Sequence, residues 1–303
     1  MVVRRLDPNL KPKIKVKQNQ TFTLNLINGF GAEVNNHEEF ETLLTKKIGH
    51  PLDGPVYIDN IKKGDCIEVE IVDIIPNNKG YQCNSRSTGI LKGKFKERNY
   101  KIFKVENNKI KYSQNEFEIK PSLGYISTLT EFEFSAGRAC KNGGNLDFNQ
   151  LKKGAKIILP TSFDGGMLLA GDMHLLQGNG EVSGIALECS GQLKLKVKKS
   201  DQKVNSPLIL TKNETLVVGT GYTIEDTTTN ALENALGFFS EKLNLTKEVT
   251  YLWLSANTNL IFGNFSGKVK TSAIQYIKTW LHQPKKKKPF DFQEKTRNSS
   301  HQF

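Results

Sequence analysis

The stretch Gly165-Gly166-Met167-Leu168-Leu169-Ala170-Gly171-Asp172-Met173-His174-Leu175-Leu176-Gln177-Gly178-Asn179-Gly180-Glu181-Val182 sets one Asp, one His, one Gln and one Glu among five glycines. Asp172 and His174 are two residues apart, so on an extended segment they share a face. Gly178-Asn179-Gly180 reads as a turn that brings Glu181 back toward them. Two carboxylates and an imidazole meeting at one turn are a plausible donor set for a hard or borderline metal ion. The same groups would serve as an acid–base cluster without metal. They would also suit a polar hairpin on the surface.

Upstream, Gly143-Gly144-Asn145-Leu146-Asp147 repeats the two-residue spacing with Asn145 and Asp147. Its glycines admit a close backbone approach or positive φ. Most of the remaining chain alternates with period two. Lys13 to Ile27 and Cys66 to Ile75 read as strands with one wet and one buried face. Lys101 to Val105 and Lys109 to Tyr112 bracket Glu106-Asn107-Asn108 as a hairpin. Short strands follow at Phe117–Pro121, Ala155–Pro160, Val182–Cys189, Leu193–Val197 and around Leu208 and Val217. Helices are expected near 36–48, with Asn36 as cap, and near 226–243, capped by Asp226 or a following Thr. Residues 249–256 and 269–277 are apolar segments that fit a strand or a helix.

The whole therefore reads as β-rich α+β: an N-terminal all-β part, barrel- or sandwich-like, and a smaller C-terminal α/β part. The boundaries are a basic arm at 1–13, one domain at 14–280 and a basic, disordered tail at 281–303. Within the domain, a β-rich half covers about 14–125 and a site-bearing half about 126–280.

The formal net charge is +12. Residues 1–20 carry six Lys/Arg and one Asp, and residues 282–303 carry six Lys/Arg and two acids, so the ends hold +5 and +4 of it. A globular nucleic-acid binder carries its basic face on the folded body. That reading is disfavoured here, and only tail contact with a polyanion stays open. Cys66, Cys83, Cys140 and Cys189 form no C-x-x-C, which argues against a thiolate zinc knuckle or a disulfide framework. Thiol catalysis by Cys140 or Cys189 lacks a sequence-adjacent His. No window has the length of a spanning apolar helix and the N-terminus lacks an apolar signal core, so the expected location is the cytoplasm.

Three motifs together resemble the acetamidase/formamidase family. They are Gly143-Gly144-Asn145-Leu146-Asp147; Gly171-Asp172-x-His174-x-x-Gln177-Gly178-x-Gly180-Glu181-Val182; and Gly54-Pro55-Val56-Tyr57-Ile58 with Lys63-Gly64-Asp65. Their order and spacing agree over roughly residues 14–280. The resemblance implies hydrolysis of a small linear amide such as formamide or acetamide to ammonia and a carboxylate. It also implies a β-rich fold and a divalent metal, with zinc the expected ion. Carried over by position, Asp147, Asp172, His174 and Glu181 are the expected site residues: Asp172 and His174 are read as metal ligands, Glu181 as ligand or general base, and Asp147 as a ligand or an orienting group. Glu181 and Asp147 are the expected catalytic groups, and Asn145, Gly144 and Gln177 the substrate-binding ones. One departure stands out: Asn142 occupies the place where many members carry His. The glycines are expected to keep the site narrow, and a homodimer is the expected assembly. Glu188 reads as a solvent-face or structural carboxylate, and His37, His50, His282 and His301 as surface residues. The competing reading is a non-catalytic relative that binds a partner through its basic tail.

Overall fold

The computed structural model describes residues 2–45, 50–84 and 88–278. Trp280, His282, His301 and the basic tail lie outside the described residues. Two large sheets dominate. In the first, the strand order is Ala139–Cys140, Gly143–Asn145, Ser122–Thr128, Leu168–Leu176, Leu187–Cys189, Lys79–Cys83 and Tyr100–Lys104. Leu52–Ile58 also pairs with Leu168–Leu176, and Ile14–Val16 runs parallel to it. The second sheet runs Thr258–Phe262, Lys270–Ile277, Glu214–Gly221, Leu208–Leu210, Lys156–Pro160, Cys66–Pro76, Gly191–Lys199 and Thr21–Leu26.

One core joins the two sheets. Leu123, Ile126, Leu168, Met173 and Leu175 from the first meet Ile67, Val69, Ile71, Leu193 and Leu195 from the second. The β-branched alternation read in Cys66–Pro76 supplies several of these residues, because successive side chains point to opposite faces. The strand Thr21–Leu26 shows it strictly, with Phe22, Leu24 and Leu26 buried and the residues between them exposed. Both sheets stay open among the described residues, so the architecture is a layered sandwich rather than a barrel. Each draws strands from both sides of residue 125, so the two sequence halves interleave. The N-terminal arm is also woven in: Leu6 is buried, Arg5–Leu6 pairs with Phe134–Ser135, and Val3 bridges Leu52.

Three helices complete the described chain: α1 (His37–Thr45), α2 (Ile224–Leu243) and α3 (Lys247–Asn257). Asn36 Oδ1 accepts from Glu39 N at 2.9 Å, as its N-cap position requires. The cap of α2 is Thr223, not Asp226 or a later Thr. Thr223 Oγ1 accepts from Asp226 N and Asp226 Oδ2 accepts from Thr223 N, both at 3.0 Å, a reciprocal capping box. Residues 249–256 are helical in α3, while 270–277 are strand. Ala231, Ala235 and Phe239 of α2 and Leu254 of α3 pack on Val217, Ile274 and Tyr276 as a second core.

The hairpin expected around Glu106-Asn107-Asn108 is only a turn. Asn107 and Asn108 take φ of 51° and 60°, and Glu106 and Lys109 exchange backbone hydrogen bonds. The flanking strands then part: Tyr100–Lys104 pairs with Lys79–Cys83, and Lys109–Tyr112 with Asn115–Glu118. The Val182–Cys189 strand is likewise shorter than its apolar pattern, spanning only Leu187–Cys189.

Candidate active site

The strand Leu168–Leu176 is the spine of the site. It carries Asp172 and His174, both buried. Asp172 takes φ of 60° within the strand. Its Oδ1 lies 3.5 Å from His174 Nε2. Antiparallel pairing places Glu188 directly opposite His174, and their side chains meet, with Nε2 3.3 Å from Oε1. On the other flank, Leu52 pairs with Gly171, and this delivers the nearby His50 beside Asp172, Nδ1 to Oδ1 at 3.2 Å.

Asp147 arrives from the end of Gly143–Asn145. Leu146 N and Asp147 N both donate to the Gly124 carbonyl, at 2.9 and 3.1 Å, and fix Asp147 at φ 56°. Asn145 Nδ2 donates to Asp147 Oδ2 at 2.7 Å, and Gln177 Nε2 to Asp147 Oδ1 at 3.2 Å. The turn carrying Glu181 is tied to the same region. Asn149 N donates to Asn179 Oδ1, and Asn149 Nδ2 to the Gln177 carbonyl, both at 3.3 Å. Glu181 takes φ of 35°. Three site carboxylates thus sit in the left-handed region, where a non-glycine residue costs about 1–3 kcal/mol and persists only when its surroundings hold it.

Gly124 closes the floor. A Cβ there would fall 2.5 Å from Asp172 Oδ2 and 2.7 Å from both Asp147 Oδ1 and His174 Cε1. Gly29 donates to Glu188 Oε2 at 3.3 Å and leaves similarly little room. Donor atoms of Asp147, His174 and Glu181 lie within 4.8 Å of one another, as do those of Asp172, His174 and Glu188. Above the cluster opens a cavity of about 280 Å³ lined by Phe30, His50, Asn145, Glu181, Ile185, Glu188, Asn264 and Ser266, among others. The site is therefore crowded at its base but wider above it than the glycine pattern suggested.

Four carboxylates and two imidazoles in one buried space cannot all take their ordinary charges. Burial opposes charge on His50, but Asp172, Glu188 and Asp147 outweigh it and push the imidazole up to about 9. His174 is likewise held well above its usual value: Glu188 and Asp172 overcome burial. Burial works against an ionised Asp172, yet His50 and His174 hold it well below the carboxylate range. Asp147 is pushed up to about 7 by burial and by the Asp172 charge. Burial, then Asp147, raises Glu181 well above its usual value; burial raises Glu188 despite His174.

These groups fit a divalent cation. Both nitrogens of His174, Nδ1 of His50 and Oδ1 of Asp172 are buried without an aligned hydrogen bond, although imidazoles and carboxylates stand at ion-pair distance. The protons on the two imidazoles balance charge that a dication would balance instead.

Asp147, Asp172, His174 and Glu181 thus converge, with Asn145 and Gln177 bonded to Asp147. Gly144 does not face the cavity described: a Cβ there would run into the Arg138 carbonyl and Ala139 within the sheet. Glu188 is neither on the solvent face nor apart from the site. His50, with its side chain 34% exposed, lines the cavity instead of the outer surface. A carboxylate inside the apolar run Ile185-Ala186-Leu187-Glu188-Cys189 marks Glu188 as unusual, but only its pairing with His174 across the sheet assigns it to the site. Asn142 is buried elsewhere, its Nδ2 donating to Thr128 Oγ1, the Pro160 carbonyl and Ser162 Oγ at 2.9, 3.3 and 3.1 Å. Thiol chemistry loses its basis, since burial pushes the Cys140 thiol up to about 11 and Cys189 well above its usual value.

The two packed sheets thus gather carboxylates and imidazoles at the foot of a cavity, a donor set that could hold a metal ion. The sequence model of the acetamidase/formamidase family matches residues 1–139 and 134–271, and the chain belongs to that family. It is 40% identical over 76 residues to a putative formamidase of Schizosaccharomyces pombe, a stretch that is 23% of this chain and 18% of that protein. It is 40% identical over 57 residues to a formamidase of Methylophilus methylotrophus, covering 18% of this chain and 14% of that one. The chain therefore matches less than a fifth of the length of either relative. The fold is similar to the crystal structure of an acetamidase from Bacillus halodurans, with a TM-score of 0.88 at 24% identity over 92% of this chain and 96% of that one. A predicted acetamidase/formamidase from Thermoanaerobacter tengcongensis gives 0.85 at 21% identity, covering 92% and 93%.

Proposed function

We propose that the protein is an amidohydrolase that cleaves the C–N bond of a small linear carboxylic amide to ammonia and a carboxylate, with a divalent cation, zinc by family resemblance, in the buried cluster. The observation that carries the reading is the joining of Asp147, Asp172, His174, Glu181 and Glu188 at the base of one cavity. Family membership supports the reaction class.

Amides resist hydrolysis because the carbonyl is resonance-stabilised and the amine leaves poorly. A catalyst needs an activated water, stabilisation of charge on the carbonyl oxygen and a proton for the nitrogen. A cation would be held by His174 with Asp172 and Glu188, or with Asp147 and Glu181, and would supply Lewis acidity toward the carbonyl and toward water. The chain's own groups do the rest. Asn145 Oδ1 is buried, unpartnered and at the cavity wall, so it is placed to accept a hydrogen bond from the amide nitrogen and orient it. Where His174, Asp172 and Glu188 would hold the cation, Asp147, raised by burial and by the Asp172 charge, is suited to take a proton and return it to the leaving nitrogen. Gln177 and Asn145 hold that carboxyl in place. Glu181, also raised, faces the cavity as the second proton holder.

Ammonia release from formamide, acetamide and propionamide tests the reading, before and after exhaustive chelation and after adding zinc back. Release that disappears with the metal and returns with it is expected. Release from none of the amides overturns the hydrolase reading, and full activity in verified metal-free protein overturns the metal.

A further inference from the structure

Residues 88–99 form a surface loop that starts at the candidate active site. Thr88 lines the cavity, and its Oγ1 donates to the Ser183 carbonyl at 3.4 Å. Gly89, at φ 81°, packs against Ser183: a Cβ there would fall 2.5 Å from the Ser183 carbonyl oxygen. Ile90 N donates to the Val182 carbonyl at 2.9 Å. At the other end, Asn84 Nδ2 donates to the Glu97 carbonyl at 3.1 Å, and Asn84 N to the Asn99 carbonyl at 2.9 Å. Between these anchors, Lys94 N donates to the Leu91 carbonyl at 3.1 Å and closes a turn through Gly93. No atom lies within 4 Å of where a Gly93 Cβ would be, so the tip stands in open space.

What the loop exposes is unusual for a surface that meets only water. Ile90, Leu91 and Phe95 are 50%, 57% and 53% exposed, and the adjoining Val182 is 65% exposed. Lys92, Lys94, Lys96 and Arg98 alternate with them, all exposed, against the single acid Glu97, so residues 90–98 carry four positive charges and one negative, a net +3. Among the described residues none of these four cations forms an ion pair. Their neighbours do: Lys104 pairs with Glu106 at 2.8 Å, and Lys109 and Lys111 with Glu116 at 3.2 and 3.4 Å. Single exposed apolar residues are ordinary, but three large ones within one short turn, spaced by unpaired cations, mark a contact surface.

This combination fits an anionic lipid surface. The cations meet the headgroups, and the apolar side chains enter the boundary with the acyl chains. Nucleic acid fits less well, because Ile90 and Leu91 offer no ring on which a base could stack. The exposed Val249, Tyr251 and Leu252 of α3 lack the charge, since the one Lys and one Glu of that helix cancel.

We propose that residues 90–98 are a membrane-docking loop that seats on an anionic bilayer, with Ile90, Leu91 and Phe95 inserted and the cations among the headgroups. The contact is with the bilayer surface and involves no span. Its anchors at Thr88 and Val182 set the candidate active site beside the docked loop. The proposal stands apart from the hydrolase reading.

The test is co-sedimentation of the full chain with vesicles of phosphatidylcholine alone and of phosphatidylcholine mixed with phosphatidylserine, at low and high salt. Binding to the anionic vesicles that weakens as salt rises is expected, with far weaker binding to the neutral ones. Lys94→Gln together with Lys96→Gln should lower the partition coefficient roughly 25-fold, about fivefold for each charge. Leu91→Ser together with Phe95→Ser leaves the charge unchanged and should lower it at least about tenfold. All four side chains are exposed, so both variants should keep the melting temperature of the unaltered chain. Both also keep the basic tail, so binding that neither pair of substitutions changes places the contact outside the loop and overturns the proposal. Binding lost with the lysines but not with Leu91 and Phe95, equal affinity for neutral vesicles, or no binding to either vesicle also overturns it. A loop-dependent affinity for single-stranded RNA in place of vesicles would make nucleic acid the occupant and overturn it as well.

Discussion

At the scale of single residues, the site depends on where side chains are absent as much as on where they are present. Gly124 lies under Asp147, Asp172 and His174 with no room for a methyl group. Gly124→Ala is expected to leave the sandwich folded but to splay these three groups, and catalytic displacements of about 1 Å cost on the order of 100-fold. The measurement is kcat/KM for acetamide together with the melting temperature. A normal rate would mean that the cluster tolerates rearrangement. The sequence exposed much of this layer: Asp172 and His174 share a face through period-two geometry, and the Gly178-Asn179-Gly180 turn returns Glu181. It could not expose Glu188, because a cross-strand neighbour depends on register, and register is invisible in one strand. His50 was hidden for the same reason, since it reaches Asp172 through the pairing of Leu52 with Gly171.

At the scale of elements, α2 sits so close to Glu214–Gly221 that only glycine fits at 219. A Cβ there would lie 2.5 Å from the Thr227 carbonyl and 2.6 Å from Ala231 Cα. Gly219→Ala should destabilise the protein by about 1–3 kcal/mol, the range for overpacking, read from denaturant unfolding. An unchanged midpoint would show that the helix can lift without cost. The turn before Cys66–Pro76 gives a pH-dependent case. Asp65 accepts from Lys199 Nζ at 2.6 Å and from Lys62 N at 2.9 Å, and these bonds hold its pKa below 3.8. A depressed carboxylate pKa gives stability that is present above the unfolded value and lost as the pH falls through the folded one. Asp65→Asn should therefore lower the melting temperature slightly at neutral pH, with the difference shrinking below pH 3.8. A difference that grows on acidification would contradict the pairing. The Asn36 cap of α1 and the alternation within Lys13 to Ile27 were legible, although that segment is two strands, Ile14–Val16 and Thr21–Leu26, not one. Element boundaries failed where tertiary pairing overrode a local pattern: the strands around Asn107-Asn108 each found another partner, and Thr223 capped α2 one turn earlier than the run of threonines suggested.

At the scale of the whole molecule, the β-rich class followed from the dominance of period-two alternation, but the division near residue 125 did not describe how the sheets assemble. Lys156–Pro160 pairs with Cys66–Pro76, and Gly191–Lys199 with Thr21–Leu26, so long-range pairing crosses the boundary repeatedly. That interleaving is what brings together residues as distant in sequence as His50, Asp147 and Glu188. Among the described residues no helix is long and apolar enough to cross a membrane. The central claim is that the assembled cluster, centred on His174, is where the amide bond is cleaved. Its most direct test is the rate of ammonia release from acetamide by a folded, zinc-supplied His174→Asn variant beside the unaltered chain. The account predicts a fall of at least about 100-fold, the lower range for loss of a group central to acid–base or metal-assisted chemistry. A rate within twofold of the unaltered chain would contradict it.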